Sequence, residues 1–325
     1  MRMFRHSCWD LLSVAVVPFQ VGLLLLMCLN YAHLPVWGLV ALVPVMFALA
    51  LQAASANHNH YHTPIFVAHP MNTLARIGFS ALGGPKTPYN AGHGLHHGTK
   101  ESWNQVSWFE SVGLRRGLGQ QALALGLYPL ESLGLKYFVL MMLLKLWPLE
   151  RVAAFAAAPK DRAYTERILR RVLEPAAYRS TQWELAAWVG LRATMCALDW
   201  HFFFFFFVPV QFLIDTLRQS ENFLQHWGAA DPFDPQRDSV SCYGWMYNAL
   251  TFNLGYHQEH HFRPGAHWLE LRRLRAQLPA ERRVVPFSHY LNLPVFFPRF
   301  AAELARREAS NAARSSLLDA GIEDE

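Results

Sequence analysis

Charge is scarce in this chain: only 16% of its 325 residues are Asp, Glu, Lys or Arg, against about 25% in soluble domains. A charge-covered soluble surface is therefore not expected, and a hydrophobic content of 52% points instead to one membrane-embedded unit. Cysteine is scarcer still. Cys8, Cys28, Cys196 and Cys242 stand far apart with no C-x-x-C pair. That excludes a disulfide framework, a zinc ribbon, a rubredoxin-type iron site and a fused iron–sulfur cluster. No G-x-G-x-x-G nucleotide loop and no His-Pro-Gly-Gly haem element occurs. Aromatic and basic residues do not alternate as a base-stacking platform requires, so no nucleic-acid partner is expected. The formal charge of +5 is modest, and the arginines gather at 151–171, 263–283 and 299–314 beside apolar stretches. That distribution suits a cytoplasmic membrane face.

Long apolar runs are what the chain has in abundance. Residues 11–30 and 34–54, joined by Tyr31-Ala32-His33, are each long enough to cross a hydrocarbon core of roughly 30 Å. The first resembles a signal peptide only in apolarity; its length and the run that follows predict a retained hairpin. Arg2 and Arg5 precede it and the link carries no Lys or Arg, so the N-terminus and the chain after residue 54 are expected in the cytoplasm. The mildly apolar 66–84 is expected to be interfacial, 118–147 interfacial or re-entrant, and the basic 151–179 to lie on the membrane. Residues 183–217 are too many for one crossing and divide at Asp199-Trp200-His201 into 183–198 and 201–217. The expectation is a single all-α integral membrane domain, 1–300, with about four transmembrane helices in two hairpins and interfacial helices. A cytosolic helical cap completes it, followed by a disordered tail at 301–325. The compartment is a bacterial inner membrane, or the endoplasmic reticulum if the source is eukaryotic.

Three histidine clusters flank these runs: His58-Asn59-His60-Tyr61-His62, His93-Gly94-Leu95-His96-His97 and His257-Gln258-Glu259-His260-His261. On a helix, His58 and His62 share a face at i, i+4, while His60 points away and is set aside. His93 pairs with His96 or His97 on the next turn, and adjacent histidines diverge by roughly 100°. The same holds for His257, His260 and His261. Eight imidazoles exceed what one tetrahedral or octahedral ion uses, so a dinuclear site is the natural count. For all three clusters to share it, an even number of crossings must separate His97 from His257. A ligating imidazole needs its second nitrogen held; Asn57, Asn59, Asn90, Glu101, Asn104, Asn253 and Glu259 are the candidates. A metal transporter is a remote alternative, because its ionisable ligands would lie inside the membrane helices and these histidines lie outside.

The order H-x3-H, H-x2-H-H, H-x2-H-H resembles the histidine boxes of the membrane fatty-acid desaturase superfamily, with His58 and His62, then His93, His96 and His97, then His257, His260 and His261. The resemblance covers roughly residues 10–290. It implies a cytosolic cap holding two iron ions, with O2 as co-substrate and all eight histidines as ligands. It also implies an Asn-x3-His element after the last membrane helix, matched by Asn222 and His226, with His226 a ninth ligand and Asn222 acting through water. The implied reaction is O2-dependent oxidation of an unactivated C–H bond in a fatty acid or acyl lipid, foremost desaturation. Hydroxylation or ketone formation on a lipid or alkane, and oxidative decarboxylation of a free fatty acid to a terminal alkene, are the alternatives. Electrons are expected from a separate ferredoxin, rubredoxin or cytochrome b5 with its reductase, docking on 151–171 or 271–283, where Arg272 and Arg273 lie.

Overall fold

The computed structural model describes residues 3–99, 135–156, 162–226, 229 and 234–278. Among the described residues the regular structure is all helical. In chain order it comprises α1 (Asp10–Asn30), a 3-10 turn (Tyr31–His33), α2 (Val36–His62), α3 (His69–Gly83), α4 (Lys86–Thr99), α5 (Leu135–Leu143) and α6 (Leu149–Ala156). Then come α7 (Arg162–Leu173), α8 (Pro175–Leu198), a π-helix (Phe202–Phe207), α9 (Val208–Leu224), α10 (Trp245–Leu250), α11 (His257–Phe262), α12 (Leu271–Leu274) and a 3-10 turn (Arg275–Gln277).

The first hairpin forms as its sequence predicts, with one difference. The apolar stretch ends near Ala54, yet α2 continues unbroken to His62. Helix propagation needs backbone hydrogen bonds rather than apolar side chains, so the polar 55–62 simply extends the rod. The first histidine cluster is thus the last two turns of an apolar helix. Leu26, Leu29, Val36, Trp37 and Val40 are exposed at 61–77%, a contiguous apolar surface that a soluble monomer does not leave uncovered. The inner faces of α1 and α2 build the main core with α3 and the π-helix, centred on Leu24, Met46, Phe79, Met195, Phe202 and Ile214.

Among the described residues, α1 and α2 are the helices long and apolar enough to cross a membrane. The expected crossing at 183–198 falls inside α8, whose polarity has a structural cause. Glu184 is fully buried and accepts from the backbone N–H groups of Lys86 (2.9 Å) and Thr87 (2.8 Å), the Thr87 hydroxyl (2.7 Å) and the Arg76 guanidinium (2.7 Å). Two turns on, Arg192 donates to the carbonyls of Ala81 (3.0 Å) and Leu82 (3.1 Å). One helix therefore sets an anion at the N-terminus of α4 and a cation at the C-terminus of α3, each matched to the local helix dipole. This clamps the α3–α4 corner and aims α4 at the end of α2.

The chain does break where expected. Asp199 is extended (φ −155°, ψ 101°), and its Oδ1 accepts from the N–H groups of His201 (2.8 Å) and Phe202 (3.0 Å), capping the next helix. The six phenylalanines then wind as a π-helix, with Phe202, Phe206 and Phe207 buried and Phe204 and Phe205 exposed. The 118–134 part of the expected interfacial segment and the 301–325 tail lie outside the described residues; 135–147 contributes α5.

Candidate metal centre

Four elements deliver imidazoles to one place: the end of α2, the C-terminal half of α4, the turn after α9, and the short α11. Box residues on α4 can approach α2 because Gly94 has no side chain; a Cβ there would collide with the Tyr61 hydroxyl. Tyr89 stacks on His93 one turn earlier (5.6 Å, 8°), fixing that ring. The approach to α11 is equally constrained. Phe252 (φ 48°) and Asn253 (φ 61°) take left-handed backbone conformations, a strained arrangement for non-glycine residues. Asn59, between two histidines of α2, donates to the Phe252 carbonyl (3.2 Å). Gly255 then passes so close to Cys242 that a Cβ would lie 2.5 Å from its carbonyl oxygen.

The result is a chain of close Nε2···Nε2 contacts. His58 meets His260 at 2.9 Å, His260 meets His97 at 3.2 Å, His97 meets His93 at 3.2 Å and His93 meets His62 at 2.8 Å. A second set pairs His96 with His261 (3.3 Å) and His226 with His257 (3.3 Å). The two sets adjoin through His97 and His261, whose ring centroids are 4.5 Å apart. The donor nitrogens of His58, His62, His93 and His260, and those of His96, His226 and His261, all lie within 4.8 Å of one another in their group.

These spacings carry chemical meaning. A first-row ion bound at about 2.0–2.1 Å places neighbouring nitrogens about 2.9 Å apart at right angles and about 3.4 Å apart at tetrahedral angles; the six contacts, 2.8–3.3 Å, span that interval. Hydrogen bonding alone does not satisfy the arrangement. A neutral imidazole has one N–H, whereas the Nε2 atoms of His93 and of His260 each face two other Nε2 atoms. Burial, reinforced by the neighbouring imidazoles, pushes His93, His257, His260 and His261 well below the usual histidine range. They are therefore neutral, with lone pairs available, at physiological pH.

The outer nitrogens show what orients the rings. His261 Nδ1 donates to Asp238 Oδ2 (2.8 Å), and His226 Nδ1 donates to the Asp238 backbone carbonyl (2.9 Å). Both bonds put the proton on Nδ1 and leave Nε2 facing the cluster. Asp238 is the residue the sequence reading missed; it lies in a loop with no spacing signal, fifteen or more residues from any box. Glu259 is fully buried but accepts from Ser241 Oγ (2.7 Å) and Tyr243 Oη (2.8 Å). It anchors the loop after Asp238, not an imidazole. The Asn57 amide oxygen, adjacent to His58, is buried without a hydrogen-bond partner. Asn222 lies on the α9 backbone with its side chain outside the described residues, as do Glu101 and Asn104. His60, set aside on rotation, points away: its Nε2 donates to the Asn72 carbonyl (3.1 Å) and its Nδ1 accepts from the Ile65 N–H (3.3 Å). His267 is held by Asp10, whose Oδ1 also accepts from Trp268 Nε1 (2.9 Å each), joining the start of α1 to the segment after α11.

An apolar helical hairpin ending in nine clustered imidazoles defines a membrane-associated protein with a histidine-rich metal-binding centre. The family model described as Fatty acid desaturase matches residues 31–290, and the chain belongs to that family, a family of lipid-oxidising oxidoreductases. No curated protein and no solved structure matches the chain.

Proposed function

We propose that this protein is a membrane enzyme with two iron ions that oxidises an unactivated C–H bond of a fatty acid or acyl lipid with O2, and that the reaction is desaturation. The observation that carries the reading is the pair of adjoining Nε2 sets with coordination-sphere spacing. His58, His62, His93, His97 and His260 form one ion's ligands; His96, His226, His257 and His261 form the other's. Bound there, two irons supply the O2-activating, hydrogen-abstracting chemistry that no side chain of the chain offers. The overall reaction balances as R–CH2–CH2–R′ + O2 + 2 electrons + 2 protons giving R–CH=CH–R′ + 2 water.

The chain's own residues prepare that chemistry. Asp238 holds His261 and His226 in the tautomer that presents Nε2 inward. The burial of His58, His93, His257, His260 and His261, each 8% exposed or less, keeps bulk water from the centre. The hairpin orientation places α2's polar end, and with it the site, at the cytoplasmic face. Two electrons come from an acidic donor such as a ferredoxin, a rubredoxin or cytochrome b5 with its reductase. The exposed basic residues Arg170, Arg171, Arg272 and Arg273 favour such a partner electrostatically.

The test is aerobic turnover of the iron-loaded protein with a reductase–donor pair, offering palmitate, an acyl thioester, a phospholipid and an alkane in separate reactions. The expected product is two mass units lighter than its substrate, with the chain length kept. A hydroxylated product, or an alkene one carbon shorter with release of CO2, would replace desaturation by hydroxylation or decarboxylation. No oxidised product from any substrate would overturn the reading.

A further inference from the structure

A second concentration of buried charge lies apart from the imidazoles. Four cations, Arg76, Lys86, Arg192 and Arg218, meet two carboxylates, Glu184 and Asp215, among the described residues. Arg76 pairs with Glu184 (2.7 Å) and Arg218 with Asp215 (3.1 Å). Arg192 is taken up by backbone carbonyls. Lys86 is only 7% exposed, and its ammonium donates to the neutral Gly83 carbonyl (3.2 Å). Four positive charges against two negative ones leave two in excess. Burying an uncompensated cation is costly. Burial, then the Arg218 guanidinium, lowers the Lys86 ammonium to about 7.

Lys86 and Arg218 border a cleft between α1, α2, α3 and α9. Its apolar walls are Ala50, Ala53, Ala54, Phe79 and Leu82, and its polar end adds Gln20 and Gln211. Gln20 is 5% exposed, and its Oε1 has no hydrogen-bond partner. Gly83 keeps the cradle open, since a Cβ there would sit 2.9 Å from Lys86 Nζ and 3.6 Å from Arg218 Nη1. The unfilled space is about 290 Å³, part of it open to the surface, with water-sized room at its centre. Widening it needs only rotation of two long, flexible side chains.

We propose that this cleft holds the carboxylate of a free long-chain fatty acid, with Lys86 and Arg218 facing the head group and the alanine wall of α2 taking the first part of the chain. The proposal rests on the lipid-oxidising reading of the histidine centre and names its substrate as the free acid. A carboxylate brings the missing negative charge and two acceptor oxygens; an ester or thioester brings no charge. Ala54 is four residues before His58 on α2, about 6 Å of helix, and Lys86 is seven before His93 on α4, about 10 Å. At about 1.2 Å per bond, from ~3.6 Å per three-bond residue, a chain following these helices reaches the imidazoles roughly eight bonds from its carboxyl. The carbon presented there is mid-chain, and the carboxyl group stays remote from the metal centre, which opposes decarboxylation.

The experiment is displacement of fluorescent cis-parinaric acid from purified, metal-free protein in detergent by palmitate, methyl palmitate and acetate. The expected result is displacement by palmitate at a concentration at least about tenfold below that for methyl palmitate, and none by acetate. Lys86→Met and Gln20→Leu should each weaken palmitate several-fold or more while Lys86→Arg retains it, with thermal melts confirming that the variants fold. Equal displacement by acid and ester, or folded Lys86→Met and Gln20→Leu variants that bind palmitate as wild type does, would overturn the proposal. Because binding is read without metal or turnover, the two readings fail separately. Charge-selective binding without oxidation would sink the reaction alone, and oxidation without charge-selective binding would sink this site alone.

Discussion

Replacing Asp238 by alanine removes one hydrogen bond from one metal set and none from the other. Its carboxylate accepts from His261 Nδ1 at 2.8 Å, where the imidazole side chain is 2% exposed. Its backbone carbonyl, which holds His226 at 2.9 Å, survives the substitution. The loss is thus a single buried, charge-assisted bond, leaving a desolvated N–H whose cost is about 1–3 kcal/mol. Without that anchor His261 is free to turn or to change tautomer. Losing an outer-shell partner of this kind lowers metal affinity about 10–100-fold, which corresponds to about 1.4–2.7 kcal/mol. The five-histidine set of His58, His62, His93, His97 and His260 has no bond to Asp238 among the contacts that join it. Titration of the metal-free variant with ferrous iron against a competing chelator should therefore resolve one site of near-normal affinity and one weakened by that factor. Asp238→Asn, which keeps an acceptor oxygen, should fall between. Two sites of unchanged affinity, or equal weakening of both in a folded variant, would refute the assignment of Asp238 and the division into two sets.

Three further outcomes follow from the same contacts. Gly94→Ala should disturb the α2–α4 contact and lower iron content, and adding Tyr61→Phe should restore it by removing the hydroxyl that a Cβ would strike; failure of the double variant to recover would show the damage lies elsewhere. Glu184→Ala strips the α4 N-terminus of its acceptor and leaves Arg76 unpaired, at a cost of about 3–5 kcal/mol, so its melting temperature should drop steeply, with Glu184→Gln losing less; a melt like wild type's would contradict the clamp. The metal-free protein should lose stability as pH falls. His93, His257, His260 and His261 have folded values far below their unfolded value of about 6.5. Below about 6.5 the unfolded chain binds protons the folded chain refuses, and each histidine contributes up to about 1.4 kcal/mol of destabilisation per pH unit. Melts at pH 7.5 and 5.5 should differ markedly without metal and much less with it, and a pH-independent metal-free melt would count against neutral, buried imidazoles.

What the sequence made legible was local in character. The i, i+3 and i, i+4 spacings of the boxes follow from helical geometry alone, so their histidines and the exclusion of His60 could be read without a fold. The first hairpin was legible for the same reason, because length and apolarity are properties of a contiguous segment. The contacts that escaped are those made at long range. Glu184 reads as a stray charge inside an apolar run, yet it caps a helix 98 residues earlier in the chain. Asp238 sits in a loop among other aspartates, and nothing in its neighbours marks it as the residue that reaches His261. The continuation of α2 past Ala54 was hidden because hydropathy reports where a helix meets lipid, not where its hydrogen bonds end. The π-helical winding of Phe202–Phe207 has no compositional signal; its backbone follows from how the rings pack against α1 and α2.

The most direct test of the two-metal centre is the iron content of the purified, iron-reconstituted protein together with its Mössbauer spectrum. Two irons per chain, giving a spin-coupled diferric spectrum after oxidation that is lost in His260→Ala with His261→Ala, is the predicted result. One metal per chain, or two that remain in that double variant, would contradict the account.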